Sequence, residues 1–348
     1  MTLEFVERLP SYEEEVSERW LVRAPGATAP HVLALIAQDD RDWIDRVEVA
    51  TRPWIGFTHP SIASVRSVER ADDRLVIETD DDRGPSLSQA IGQLADAPAD
   101  RAVWGLEELY RVGEGLAAMA RHQPGFVHRR VGPPWLVVGP DGRVRLRPPI
   151  AHVGRGPRPA QMGAGKLSPG ISWLSPEQLA GLPVPPASDV YQLAASMYAA
   201  ISGRHPYPSN REMERIERIL RGDPAAPLPE ASPAIAAVIA RGLATSRTER
   251  YPDVVAFTAA LGALPAANDA VAARVRLAAW WPTAPRPDPR SVPFLGMTCK
   301  RRWAELSPTE HPDIRHCASC LQPVIHVRSI AAAVPLIGTR CVSFADEN

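Results

Sequence analysis

A change in hydrophobic periodicity near residue 85 constrains the fold of this chain most strongly. Before it, short runs with β-strand character, such as His31–Ile36 and Arg74–Thr79, alternate with polar turns, and one helix is predicted over 42–51. After it, apolar residues recur three and four positions apart, which is typical of helices that bury one face. The sequence therefore predicts an α+β fold, in which a small β-rich lobe is followed by a larger helical lobe. The helical patterns cover 106–119, 187–201, 211–221, 233–244 and 253–264.

A proline-rich segment separates the helical lobe from the C-terminal part of the chain. Five prolines occur between positions 282 and 293, which predicts a semi-rigid, extended linker. All four cysteines follow this segment. We therefore expect an N-terminal lobe at 1–84, a C-terminal lobe at 85–265, a helix end with the linker at 266–296, and a four-cysteine module at 297–348.

Charge and hydropathy exclude several function classes. The 348 residues include 39 basic and 40 acidic side chains, so the formal net charge is −1, whereas nucleic-acid-binding domains are usually strongly basic. The first residues are acidic where a secretory signal would be apolar, and no run approaches the roughly 18 apolar residues of a membrane span. We expect a cytoplasmic protein with neither a membrane nor a nucleic acid as its partner.

Short motifs follow one another in a specific order along the two predicted lobes. In that order they resemble the eukaryotic-type protein kinases, the family to which bacterial Ser/Thr kinases belong. The resemblance covers residues 5–264 and implies a bilobal kinase-like fold. The motifs are His59-Pro60-Ser61-Ile62, Leu75-Val76-Ile77-Glu78, Ser86-Leu87, Val127-His128-Arg129, Ser175-Pro176-Glu177-Gln178, Ser188-Asp189-Val190-Tyr191, Gly203-Arg204-His205-Pro206-Tyr207 and Arg250-Tyr251.

The resemblance assigns structural roles to four residues. It implies that Glu177 and Arg250 form a charge-assisted pair, which anchors the loop before Glu177 to the helical lobe. It also implies that Asp189 accepts backbone N–H groups of the catalytic-loop segment. His128 is expected to be a core histidine that holds the backbone of the same segment.

The positions that carry phosphotransfer in this family hold other residue types. The resemblance places Arg130 at the carboxylate base, Trp135 at the Mg²⁺-binding Asn and Pro148 at the Mg²⁺-binding Asp. The lysine that contacts the nucleotide phosphates has no counterpart, because the only lysines are Lys166 and Lys300. We therefore expect no catalytic residues, no binding of ATP or Mg²⁺ and no enzymatic activity, which together define a pseudokinase.

The four cysteines predict a zinc site. Cys317 and Cys320 form a C-x-x-C motif, Cys299 lies 18 residues before it and Cys341 lies 21 residues after it. Four thiolates complete a tetrahedral Zn²⁺ site, which stabilises segments too small for a large apolar core. A set of four reduced structural cysteines is the alternative. If one cysteine is not a ligand, the candidate replacements are His311, His316 and His326.

Three functional hypotheses follow from these observations. The main one is a pseudokinase that acts through protein partners as a scaffold or regulator in bacterial signalling. The first alternative is a divergent Ser/Thr kinase that uses displaced acidic residues such as Asp141 or Glu78. The second alternative makes the four-cysteine module the functional part, which binds protein or nucleic acid while the kinase-like fold supports it. Its basic residues are Arg301, Arg302, Arg315 and Arg328.

Overall fold

The N-terminal lobe is a five-stranded antiparallel sheet with one helix. The computed structural model describes residues 4–9, 18–23, 31–37, 41–71, 74–80, 83–147, 170–264, 270–284, 306–318, 323–327 and 341–344. The strand order is β1-β2-β3-β5-β4, and helix α1 (Arg41–Thr51) lies in the chain between β3 and β4. The strands are β1 (Glu4–Leu9), β2 (Glu18–Arg23), β3 (His31–Ala37), β4 (Val65–Ala71) and β5 (Arg74–Asp80).

The alternation of side chains along β5 determines which face of this sheet is covered. Leu75, Ile77 and Thr79 are at most 1% exposed, whereas Glu78 is only half-buried. Because successive side chains of a strand point to opposite faces, Glu78 lies on the other face from its two neighbours. Leu75 and Ile77 share one apolar core with Val47 of α1. The sheet therefore presents its apolar face to α1.

The C-terminal lobe is built around α5, whose side chains are buried along almost the whole helix. Helix α5 packs against α3, α7 and α8. At the α3–α5 crossing, a Cβ on Gly105 would lie 2.4 Å from Cβ of Ala200, so the close approach requires glycine there. No helix in the described part of the chain has the length and apolar character needed to cross a membrane. The elements of this part are α2 (Leu87–Gln93), α3 (Pro98–His122), β6 (Leu136–Val138), β7 (Val144–Leu146), α4 (Pro176–Leu179), α5 (Ala187–Ser202), α6 (Glu212–Arg221), α7 (Pro233–Gly242), α8 (Val254–Gly262) and α9 (Val271–Trp280).

The structure confirms that a β-rich lobe precedes a larger helical lobe. The helices predicted over 187–201 and 253–264 are observed as α5 and α8. Helix α9 lies within 266–296 and packs on α3. The boundaries of the four expected segments stay predictions.

The C-terminal segment contains a second small sheet in the order β11-β10-β9-β8. Strand β10 pairs antiparallel with β9 and parallel with β11. Cys317 directly follows β9, is 3% exposed and packs with Leu306 and Val324. The strands are β8 (Ser307–Pro308), β9 (Ile314–His316), β10 (Pro323–Val327) and β11 (Cys341–Phe344).

Candidate active site

Asp189, in the first turn of α5, holds the backbone of the segment at His128 and Arg129, which the resemblance equates with the catalytic loop of the kinases. Its Oδ2 accepts the backbone N–H of His128 at 2.6 Å, and its Oδ1 accepts that of Arg129 at 2.7 Å. Burial raises the pKa of Asp189 to about 7, while the two N–H donors act in the opposite direction. The structure thus brings together Asp189 and the two loop residues that the sequence motifs predicted to meet.

Arg129 has a strained backbone. Its φ of 71° makes it the one non-glycine residue in the left-handed region within the described part of the chain. Its carbonyl oxygen accepts hydrogen bonds from Nε2 of Gln178 and Nε2 of Gln192, both at 2.9 Å. Gln192 Oε1 also accepts the N–H of Val131 at 2.6 Å. A left-handed non-glycine residue costs roughly 1–2 kcal/mol, so this conformation persists because the surrounding amides impose it.

His128 connects the loop to the end of β7. Its imidazole is 1% exposed, and Nε2 lies 2.9 Å from the carbonyl oxygen of Arg147. The side chain therefore spans from the loop held by Asp189 to the residue that follows the β6–β7 hairpin.

Glu177 and Arg250 form a buried ion pair. Arg250 Nη1 and Nη2 donate to the two carboxylate oxygens of Glu177 at 2.8 and 3.0 Å. Burial by itself would raise the pKa of Glu177, but the hydrogen bonds and charge of Arg250 outweigh it, and the pKa lies below its ordinary value. The pair joins the end of the loop before α4 to the segment before α8.

Arg130 and Trp135, which the resemblance places at the base and at the Mg²⁺-binding Asn, form a cation–π pair. The guanidinium carbon of Arg130 lies 4.9 Å from the ring centroid of the buried Trp135. Trp135 offers no oxygen ligand, and Pro148 lies outside the described residues. The residues present at the usual positions therefore do not fit Mg²⁺. The described residues also contain no group of three His, Cys, Asp or Glu side chains placed to hold a metal.

The two acids proposed as displaced catalytic residues are engaged by side chains of their own lobes. Glu78 accepts a hydrogen bond from Ser67 Oγ at 3.2 Å on the sheet face opposite to α1. Asp141, in the β6–β7 turn, accepts from Arg145 at 2.8 and 3.1 Å.

The sequence motifs included Gln178 without a role and did not include Gln192, although both side chains bind the carbonyl oxygen of Arg129. Their positions carried a signal, however. Gln178 is the last residue of the motif that contains Glu177, and Gln192 lies three positions after Asp189, hence on the same face of α5. A test of which polar residues share a face with Asp189 would have identified Gln192.

The four predicted zinc ligands are only partly covered by the structure. Cys317 is buried, as described above, and the backbone of Cys341 in β11 stands opposite Val324 of β10. Cys299 and Cys320 lie outside the described residues, as does the side chain of Cys341. Strand β10 therefore has Cys341 on one neighbouring strand and Cys317 at the end of the other.

Known proteins resemble this chain over its larger part. No protein-family model matches the sequence. The serine/threonine-protein kinase PknA of Mycobacterium tuberculosis is 26% identical over 243 residues, which are 68% of this chain and 54% of PknA. The probable serine/threonine-protein kinase PkwA of Thermomonospora curvata is 31% identical over 221 residues, 60% of this chain and 27% of PkwA. The chain thus spans about half the length of PknA. The crystal structure of the M. tuberculosis PknI kinase domain superposes with a TM-score of 0.54 at 21% identity, and covers 75% of this chain and 94% of that domain.

These relatives contradict two predictions. We expected a pseudokinase scaffold without phosphotransfer and no enzymatic activity, whereas the matched relatives are named serine/threonine-protein kinases. Both predictions are wrong, and the alternative of a divergent Ser/Thr kinase is favoured. A kinase needs a nucleotide, so the relatives also reopen the expectation that ATP is not bound. Sequence relatives and the PknI structure together assign this chain the bilobal, protein kinase-like fold of the bacterial serine/threonine kinases.

Proposed function

We propose that the two lobes form a divergent Ser/Thr protein kinase. The observation that carries this proposal is the backbone of Arg129, which is kept in the left-handed region by Asp189, Gln178 and Gln192. Strain of this kind concentrates at functional sites, where the surrounding structure must maintain it. The names of the bacterial relatives support phosphotransfer as that function.

Phosphotransfer depends mainly on positioning and on stabilisation of charge. In the proposed reaction, the bond between the γ-phosphorus and the bridging oxygen of the nucleotide breaks. A new bond forms to the hydroxyl oxygen of a Ser or Thr side chain, and the hydroxyl proton passes to water. Charge develops on the oxygens of the transferred group, so cationic side chains at this place accelerate the reaction.

We assign to Arg130 the role of stabilising the negative charge that develops on the transferred phosphoryl group. Arg130 replaces the usual carboxylate, and its half-buried guanidinium group is oriented by stacking on Trp135. A guanidinium group binds two phosphate oxygens through its planar fork, and it keeps its charge at any physiological pH. Asp189 acts through the backbone: it holds the N–H groups of the loop and thereby positions Arg130.

A second proposal concerns the C-terminal segment, which we propose binds one Zn²⁺ through Cys299, Cys317, Cys320 and Cys341. The pairing of β10 with both β9 and β11 supports it, because this pairing places the Cys341 backbone beside β10 and Cys317 at the end of β9. Ligation by thiolates would stabilise a sheet whose described apolar core consists of Leu306, Cys317 and Val324.

The kinase proposal is tested with the full chain, radiolabelled ATP and a mixed library of Ser- and Thr-containing peptides, with Mg²⁺ and with a chelator in separate arms. We expect label transfer that falls on the order of 10- to 100-fold in Arg130→Ala, the usual effect of removing one charge-stabilising donor. Arg204→Ala is the matched control, because Arg204 forms an exposed pair with Glu230. Absence of transfer by the parent, or transfer unchanged in both Arg130→Ala and Asp189→Ala, would refute the proposal.

A further inference from the structure

The connection between the two lobes is contacted by a segment that follows the helical lobe in sequence. The chain passes from β5 to α2 through residues 81–86, of which 83–86 are described. Pro85 O accepts the N–H of Val138 in β6 at 2.9 Å, and Ser86 forms a β-bridge with Val137. The interlobe connection is thus attached to β6 at two consecutive residues.

Trp281 contacts Val138, the same residue of β6 that Pro85 binds. Its indole Nε1 donates to the carbonyl oxygen of Val138 at 3.0 Å. A Cβ on Gly84 would lie 2.2 Å from that oxygen and 3.3 Å from Nε1 of Trp281. Gly84, Val138 and Trp281 therefore meet with no space for a further side chain, which explains glycine at this position.

Helix α9 holds Trp281 in place through a charged anchor on α3. Arg274 Nε donates to Glu108 Oε1 at 2.8 Å, and Arg274 also binds Glu107. The second oxygen of Glu108, which is 1% exposed, accepts the N–H of Val144 in β7 at 3.0 Å. On the same helix, Leu277 is fully buried. A shift of α9 would leave the buried carboxylate of Glu108 without the guanidinium group of Arg274, which carries a large cost in free energy. Helix α9 is therefore a rigid base for Trp281.

We propose that residues 270–284 form a strut that fixes the interlobe connection, with Trp281 as the positioning residue. Helix α8 ends at residue 262, before this strut, and the strut contacts the connection rather than only the helical core. The part of this proposal that concerns catalysis rests on the proposed kinase function.

The strut itself is tested by hydrogen exchange on the full chain. Trp281→Phe keeps an aromatic ring and removes the Nε1–H donor. We expect exchange of the amides of Val138, Gly84 and Ser86 to rise about 2- to 10-fold relative to the amides of α5, which is the effect of one hydrogen bond. Trp280→Phe is the matched control, because Trp280 is the preceding tryptophan and packs on the core cluster. Gly84→Ala, which forces the oxygen of Val138 away, should produce the same pattern.

The link between the strut and catalysis is tested with the same variants. The rate of phosphotransfer is measured as a function of the ATP concentration. Displacement of the interlobe connection should raise the KM for ATP several-fold in Trp281→Phe and leave kcat within about two-fold, because uniform binding is lost. If the parent transfers no phosphate, the kinase proposal fails, while hydrogen exchange still decides the strut. Unchanged exchange in both Trp281→Phe and Gly84→Ala, or an equal change in Trp280→Phe, would overturn the strut. A KM that stays constant while exchange rises would overturn its link to catalysis.

Discussion

Arg250 and Glu177, which are 73 positions apart, form a bidentate ion pair from which solvent is almost excluded. Arg250 uses its remaining donors on backbone carbonyls: Nε donates to Ala244 at 2.6 Å, Nη1 to Ala187 at 3.1 Å and Nη2 to Thr245 at 2.9 Å. Every N–H direction of the guanidinium group is therefore satisfied. The loop before α4, the start of α5 and the segment before α8 meet at this single side chain.

Removal of Arg250 should destabilise the helical lobe strongly. Arg250→Ala leaves a buried carboxylate and several carbonyl groups without donors, and breaking such a pair costs about 3–5 kcal/mol. Arg204→Ala breaks an exposed pair and should cost about 0–1 kcal/mol. Chemical denaturation of both variants measures the difference. Equal free energies of unfolding would show that the Arg250 pair is not the anchor.

Acid should destabilise the protein through His205. Burial lowers the pKa of His205 to about 3. Its neutral ring accepts the N–H of Tyr207 at Nδ1 and lies 3.2 Å from the Ser172 carbonyl oxygen at Nε2. Between its ordinary pKa of about 6.5 and about 3, only the unfolded chain binds the proton, so stability falls as the pH falls through this range. In His205→Gln the side chain at this position takes up no proton in either state. The free energy of unfolding of this variant should therefore depend less steeply on pH between about 6 and about 4. An unchanged slope would contradict the prediction.

The backbone strain at Arg129 should be measurable with two variants that both remove the side chain. Arg129→Gly and Arg129→Ala lose the same guanidinium contacts and differ in the cost of a left-handed φ. Although glycine loses more entropy on folding, it meets no steric penalty there. We expect Arg129→Gly to be more stable than Arg129→Ala by about 1 kcal/mol. If the alanine variant is as stable as the glycine variant, the 71° φ of Arg129 carries no strain.

The zinc content of the protein should depend on its four cysteines. By the four-ligand rule for structural sites, elemental analysis of protein purified without chelator should give about one zinc per chain. Cys317→Ser combined with Cys320→Ser should remove it and leave the main unfolding transition in place, because the lobes bury their own apolar core. His311→Ala is the control for an alternative ligand and should retain the metal. Metal-free parent protein with four reactive thiols would contradict a zinc site.

Local patterns in the sequence were sufficient to predict several helices and strands and part of the candidate active site. The spacing of apolar residues predicted α5 and α8, because the contacts that define a helical face lie three and four residues apart. The order of the motifs likewise paired Glu177 with Arg250 and placed Asp189 beside the loop at His128. The residue types at Arg130 and Trp135 also differ from those that the resemblance implies at these positions, although the functional conclusion drawn from this difference was wrong.

The tertiary structure alone decided how these elements act on each other. Gln178 and Gln192 reach the carbonyl of Arg129 from 49 and 63 positions away, and Trp281 reaches Val138 across 143 positions. Contacts at such separations leave no periodic trace in the sequence, because they depend on how two surfaces dock after each element has formed. The sequence determined which segments are strands and helices and where their charges lie. Packing determined that Arg129 is strained, that Glu78 lies on the sheet face away from α1, and that a segment following the last kinase-like helix holds the connection between the lobes.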